Sequence, residues 1–287
     1  MLRMLTLAGS LAFGAVLALP SQHSGRLVKV YGDLATADRV AIVVPGADTT
    51  VATFEASTKR PGGAARALLA EATKVGHGER LAVVAWLGYD APPTWSLGAI
   101  TDSAAVEGAK ALRRTVTELH ARTSAPIALL CHSYGSVVCA KARPDLPVAD
   151  MALFGSPGID APSDRTPSDR TLPNPIPSDP TPSNPTLLDR TLLDRRPSDP
   201  TPSAATPAAT RVWAGVGGSD WIRFVPKVKL GPLGFGADAL SPGYGARVFE
   251  VGPGGHSDYF APGTPSLRNL TLIALGRPGD VVAAAPA

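Results

Sequence analysis

Cysteine is nearly absent: the 287 residues hold two, Cys131 and Cys139. A disulfide framework of the kind that holds small secreted domains together is thereby excluded. The pair flanks Ser133 at positions −2 and +6. The two could meet if a strand and a helix pack back to back, but a bridge demands narrow geometry, and two small buried thiols are the expectation. Aromatic residues are scarce at 6%, and the net charge of +3 is mild. There is no basic stripe with interleaved aromatics, so nucleic acid is not an expected partner. The five histidines and two cysteines do not cluster at ligand spacings, and no glycine-rich phosphate cradle occurs. Neither a metal nor another cofactor is therefore expected.

What the chain does have is apolar residues, 44% of the total, enough to bury a core in one large domain or two small ones. The first apolar run, Leu5 to Leu19, follows Arg3 and ends at Pro20. It is short for a membrane span of about 20 residues and fits the hydrophobic part of a secretory signal over residues 1–20. An uncleaved anchor is the alternative.

Beyond it, strand-like and helix-like segments alternate. Leu27–Tyr31, Arg39–Val44, Leu81–Trp86, Ile127–Cys131, Met151–Phe154, Arg211–Ala214 and Arg247–Val251 read as strands. Helical spacing links Ala65, Leu68, Leu69, Ala72 and Val75, and then Val106, Ala109, Leu112, Val116 and Leu119. Gly135–Ala142 reads as a third helix. Thr264-Pro265 caps a fourth, which Gly276 and Pro278 end. The alternation predicts an α/β fold with a mostly parallel sheet and helices on both faces. Residues 25–160 form its first part and 211–278 its second. Between them, over 161–210, the chain repeats in fives: PSDRT, PSDRT, LPNPI, PSDPT and so on through residue 206. So much proline forbids helix and sheet, and the expectation is a disordered, low-complexity insertion.

The chemistry is signalled by LLCHSYGSVVC, residues 129–139. A serine on a sharp strand-to-helix turn, with small neighbours two positions either side, is the nucleophile elbow usually written G-x-S-x-G. Here the neighbours are Cys131 and Gly135, and Ser133 is the candidate nucleophile. A serine hydroxyl needs a base, and a carboxylate followed by a histidine is expected later in the chain. Asp220 in GGSD and His256 in GPGGH fill that order, each after a strand-like run. Asp160, Asp238 and Asp258 are alternative acids. His23, His77 and His120 sit in poorer settings. His132 adjoins the serine, and its side chain should point away from it. For a developing oxyanion the expected donors are the backbone N–H groups of Tyr134 and of Ala47, the latter in the loop VVPGADTT.

These stretches, together with VAWLGYDAPP, LFGSPG, YGARVFEV and GHSDYFAPGTPSLRN, resemble a family of α/β-hydrolases, mostly actinobacterial and often exported, first catalogued as a domain of unknown function. The resemblance covers most of residues 27–277. It implies an α/β-hydrolase fold with the insertion at the lid position, and puts Ser133, Asp220 and His256 on the triad positions. The usual first glycine of the elbow is replaced by Cys131. The expectation is a secreted or envelope-associated serine hydrolase acting on a small-molecule or lipid ester. Acyl transfer, amide or peptide cleavage, and non-catalytic binding at the cell surface are the alternatives.

Overall fold

The computed structural model describes residues 25–144, 146–160, 209–231 and 233–285. The expected signal segment and nearly all of the pentad insertion lie outside the described residues. A seven-stranded sheet forms from β1 (Leu27–Tyr31), β2 (Arg39–Val44), β3 (Leu81–Leu87), β4 (Ile127–His132), β5 (Asp150–Phe154), β6 (Arg211–Gly215) and β9 (Arg247–Val248). The order is β1-β3-β2-β4-β5-β6-β9, with β1 antiparallel to β3 and every other pair parallel. Two further strands, β7 (Lys229–Leu230) and β8 (Leu233–Gly234), make a small antiparallel hairpin that the sequence reading did not anticipate.

Residues of the inner strands alternate between two cores, one on each face. In β2, Val40, Ile42 and Val44 face one core while Ala41 and Val43 face the other. Helices α2 (Ser103–His120) and α3 (Tyr134–Ala142) cover the first core; α1 (Pro61–Val75) and α4 (Pro265–Ala274) cover the second. The helices follow the expected spacing with one shift. Val106 is exposed, and Ala105 takes its place beside Ala109, Leu112, Val116 and Leu119. The last sheet strand is also shorter than expected. Phe249 N–H still donates to Ala214 O of β6 at 2.9 Å, and the chain then bonds the C-terminal segment, Glu250 N–H to Val282 O at 2.9 Å.

The expectation of free thiols is wrong: Cys131 and Cys139 are disulfide-bonded, their Cα atoms 6.4 Å apart. Alternation explains it. Cys131 shares its face of β4 with Ile127 and Leu129, and that is the face on which α3 lays Cys139. The bond therefore joins strand to helix across the turn that holds Ser133. By chain entropy alone, closing so short a loop stabilises the fold by about 2.5 kcal/mol.

A second tie lies at the opposite end of the sheet. Asp150 is buried and accepts N–H bonds from Nε and Nη2 of Arg211, at 2.8 and 2.7 Å, and from the indole of Trp213 at 3.0 Å. Arg39 of β2 reaches it at 3.3 Å. Removing one partner strands buried charge, so Asp150→Ala is expected to cost about 3–5 kcal/mol; denaturant unfolding measures it. Cys139→Ala is expected to cost about 2.5 kcal/mol by the same measurement, and a reductant should destabilise the wild type while leaving that variant unmoved.

Candidate active site

The parallel strands all end at the same edge. The register aligns Val44, Cys131, Leu153 and Ala214 across β2, β4, β5 and β6, so the loops that follow converge there. In open α/β sheets such an edge is where ligands bind.

The turn after β4 is strained. Ser133 has φ 51° and ψ −126°, and only Asp48 is another non-glycine residue with positive φ among the described residues. Such backbone costs about 1–3 kcal/mol and must be held by its surroundings. Hydrogen bonds do so: Ser133 N–H donates to Phe154 O at 2.9 Å, and Ser136 returns its N–H and hydroxyl to Ser133 O at 2.9 and 2.6 Å. Close backbone approach does the rest. A Cβ on Gly135 would lie 2.5 Å from Pro45 O, and one on Gly46 would lie 2.6 Å from the Cβ of Ser133. Both positions therefore require glycine, and the loop after β2 sits directly against the serine. The phenol of Tyr134 turns inward, donating to Thr101 O at 2.8 Å. Its backbone N–H opens α3, and neither it nor the N–H of Ala47 meets a backbone acceptor among the described residues.

The structure brings together the three candidate residues. His256 Nε2 lies 2.9 Å from Ser133 Oγ. On the other side of the ring, Nδ1 lies 2.9 and 3.1 Å from the two carboxylate oxygens of Asp220. Asp220 caps a short 3-10 turn, Trp221–Phe224, and accepts the N–H of Ile222 at 2.8 Å. Its carboxylate is fully buried. Burial alone would raise its pKa, but donors from His256, Tyr259 and Ile222 outweigh this and hold it below the usual carboxylate range. The competing residues are engaged elsewhere. Asp160 pairs with Lys141 and Lys229, Asp258 with Lys59, and Asp238 bonds Leu240 N–H. His77 meets Arg277 and His120 meets Pro147 O; His23 lies outside the described residues.

Two neighbours, Tyr259 and His132, have supporting roles that the sequence does not signal. Tyr259 OH donates to Asp220 Oδ2 while accepting Gly217 N–H at 3.2 Å, so it braces the acid against the loop after β6. His132 does point away from the nucleophile, as expected, but it is not idle. Its Nε2–H donates to the backbone carbonyl of His256 at 2.6 Å, and its ring packs against Phe154, Tyr259 and His256. The only available hint was the histidine's place beside the serine. Burial, and then the neighbouring His256, push its pKa down to about 3, which keeps it neutral. Trp221 completes the surroundings, its ring 4.8 Å from the imidazole of His256. A cavity of about 170 Å³ adjoins the ends of β5 and β6, lined in part by Leu153, Ser156, Ile222 and Lys227.

A folded-state pKa far below the unfolded value of about 6.5 means that His132 takes up a proton only on unfolding. Stability is then lost as pH falls from about 6.5 toward 3, by up to about 1.4 kcal/mol per pH unit for this group. Thermal unfolding followed over that range should fall less steeply with pH in His132→Gln than in the wild type.

A family model described as an alpha/beta hydrolase matches residues 20–167. Uncharacterized proteins of Mycobacterium tuberculosis and Mycobacterium bovis are 34% identical over 136 residues, or 45% of this chain and 51% of theirs. The chain thus spans about half the length of these curated relatives. Among solved structures, the esterase PE8 superposes with a TM-score of 0.46 at 13% identity, covering 86% of this chain and 97% of that one. A carboxylesterase from Mesorhizobium loti gives 0.43 at 15%, covering 88% and 100%. An α/β serine hydrolase without a lid, from Xanthomonas campestris, gives 0.41 at 14%, covering 91% of each chain.

Proposed function

The chain belongs to the alpha/beta hydrolase family, and from that premise we propose that it hydrolyses carboxylic esters through an acyl-enzyme on Ser133. The observation that carries this reading is the unbroken line of hydrogen-bonding distances from Ser133 Oγ through the His256 ring to Asp220. His256 Nε2 takes the serine proton as Oγ attacks the ester carbonyl carbon. The resulting imidazolium keeps its Nδ1–H on Asp220, whose depressed pKa leaves it ionised to balance the new charge. The carbonyl oxygen becomes an oxyanion and takes hydrogen bonds from the N–H groups of Tyr134 and Ala47. Collapse of the tetrahedral intermediate expels the alcohol, which receives the proton from His256. Water then enters, is deprotonated by the same nitrogen, and releases the acid.

Export to the cell exterior or envelope is part of the proposal. An apolar N-terminal run and a disulfide in a chain with only two cysteines both suit an oxidising compartment.

A fluorophosphonate probe should label the wild type and not Ser133→Ala. Turnover of a p-nitrophenyl ester should fall by about 10³-fold or more in Ser133→Ala and in His256→Ala. A folded wild-type protein that resists the probe would overturn the reading.

A further inference from the structure

Two loops bordering the site carry large apolar side chains in the open. On the loop after β3, Trp95 is 96% exposed, and Leu97 is also largely exposed. On the segment after Asp220, Phe224 is 86% and Leu230 74% exposed, with Val228 and Leu233 beside them. The loops are joined. Thr101 and Leu233 form an antiparallel bridge, and Gly234 N–H donates to Ile100 O at 2.9 Å. They are also tied to the site. Thr94 N–H donates to Asp48, next to Ala47, at 2.9 Å, and Trp221 lies against His256. Exposed apolar side chains gathered at one mouth mark an interaction surface rather than the scatter found on any monomer.

The unpaired charge in this rim is cationic, because the acids of the loop after β3, Asp90 and Asp102, are taken up by Arg26 and by Lys141 and Lys229. Between Asp220 and Asp238 the chain reads WIRFVPKVKLGPLGFGA, with Arg223, Lys227 and Lys229 and no acid. Lys229 is paired with Asp160 and Asp102, and Lys227 is half-buried with its ammonium on the carbonyl of Ile222 at 2.6 Å, but Arg223 is exposed. Basic residues alternating with aromatic and aliphatic ones over one short stretch suit an anionic lipid interface, where rings and aliphatics enter the apolar layer and cations meet phosphate. A second copy of the chain would set like charges against each other.

We propose that this rim docks the protein on an anionic phospholipid surface. Trp95, Phe224 and Leu230 enter the acyl layer, Arg223 faces the headgroup phosphates, and Ser133 opens toward the lipid. Only the account of what is delivered to Ser133 rests on the hydrolase reading; the docking stands apart from it.

The test uses full-length Ser133→Ala protein, which binds without turnover, and vesicles of phosphatidylcholine with or without phosphatidylglycerol. Cosedimentation with the mixed vesicles is expected to weaken by about tenfold or more in a Trp95→Ser/Phe224→Ser/Leu230→Ser variant and in Arg223→Glu, and to weaken with added salt. The N-terminal apolar run is common to all of these proteins, so the difference reports the rim. The same triple variant made with Ser133 intact should turn over a soluble ester at the wild-type rate. Binding unchanged by the triple substitution would overturn the proposal, as would equal binding to phosphatidylcholine alone. A lipid-free dimer in sedimentation velocity that the triple variant loses would also overturn it and assign the rim to a second copy. Vesicle binding by a protein inert to the fluorophosphonate probe would sink the hydrolase reading and leave the docking in place.

Discussion

The site is organised by a serine held at a backbone angle that side-chain-bearing residues avoid. Ser133 can keep φ 51° only because three backbones close on it: the end of β4, the start of α3 and the Pro45–Gly46 turn. That convergence has direct chemical consequences. It lifts Oγ out of the sheet edge toward His256. It also leaves the first N–H of α3 and the N–H of Ala47 without a backbone acceptor, as the proposed stabilisation of a carbonyl oxyanion requires. The two glycines that allow the approach are as necessary to the site as the serine, although neither contributes a reacting atom.

Around the serine the polar groups are arranged so that each buried charge meets several donors. Asp220 is fully buried yet ionised, because an imidazole, a phenol and a backbone N–H all point at it. The imidazole is held twice, at its ring by Asp220 and at its own backbone by His132. With His132 kept neutral by burial, the brace adds no second positive charge next to the imidazolium that the proposed mechanism would form on His256. At the far end of the sheet Asp150 follows the same rule with Arg211, Arg39 and Trp213.

Much of this was legible in the sequence, because buried parallel strands are continuous apolar runs and their ends carry the loops. Ile127–Cys131, Arg39–Val44 and Arg211–Ala214 could be read from that pattern alone, and the chain order of Ser133, Asp220 and His256 then selected them among several acids and histidines. Other features depend on direction in space. The disulfide requires that Cys131 and Cys139 face one another, which follows only when strand alternation and helix rotation are combined. The place of His132 beside Ser133 implies a side chain facing away from the serine, but nothing local says that the carbonyl of His256, 124 residues on, waits there. The hairpin at Lys229–Gly234 is two residues on a side, too short to show a period.

The disulfide has a consequence for the chain before it folds. Its two ends are only eight residues apart, so an oxidised but denatured chain still carries Ser133 inside a small covalent ring. The elbow segment thus never becomes fully extended, and its ends need not find one another again. His256 enjoys no such tether: 123 residues separate it from Ser133. Loop closure over that distance comes after local contacts have formed. In an oxidised denatured chain the serine's own loop is thus already closed, and the long loop to the histidine is the one left to close.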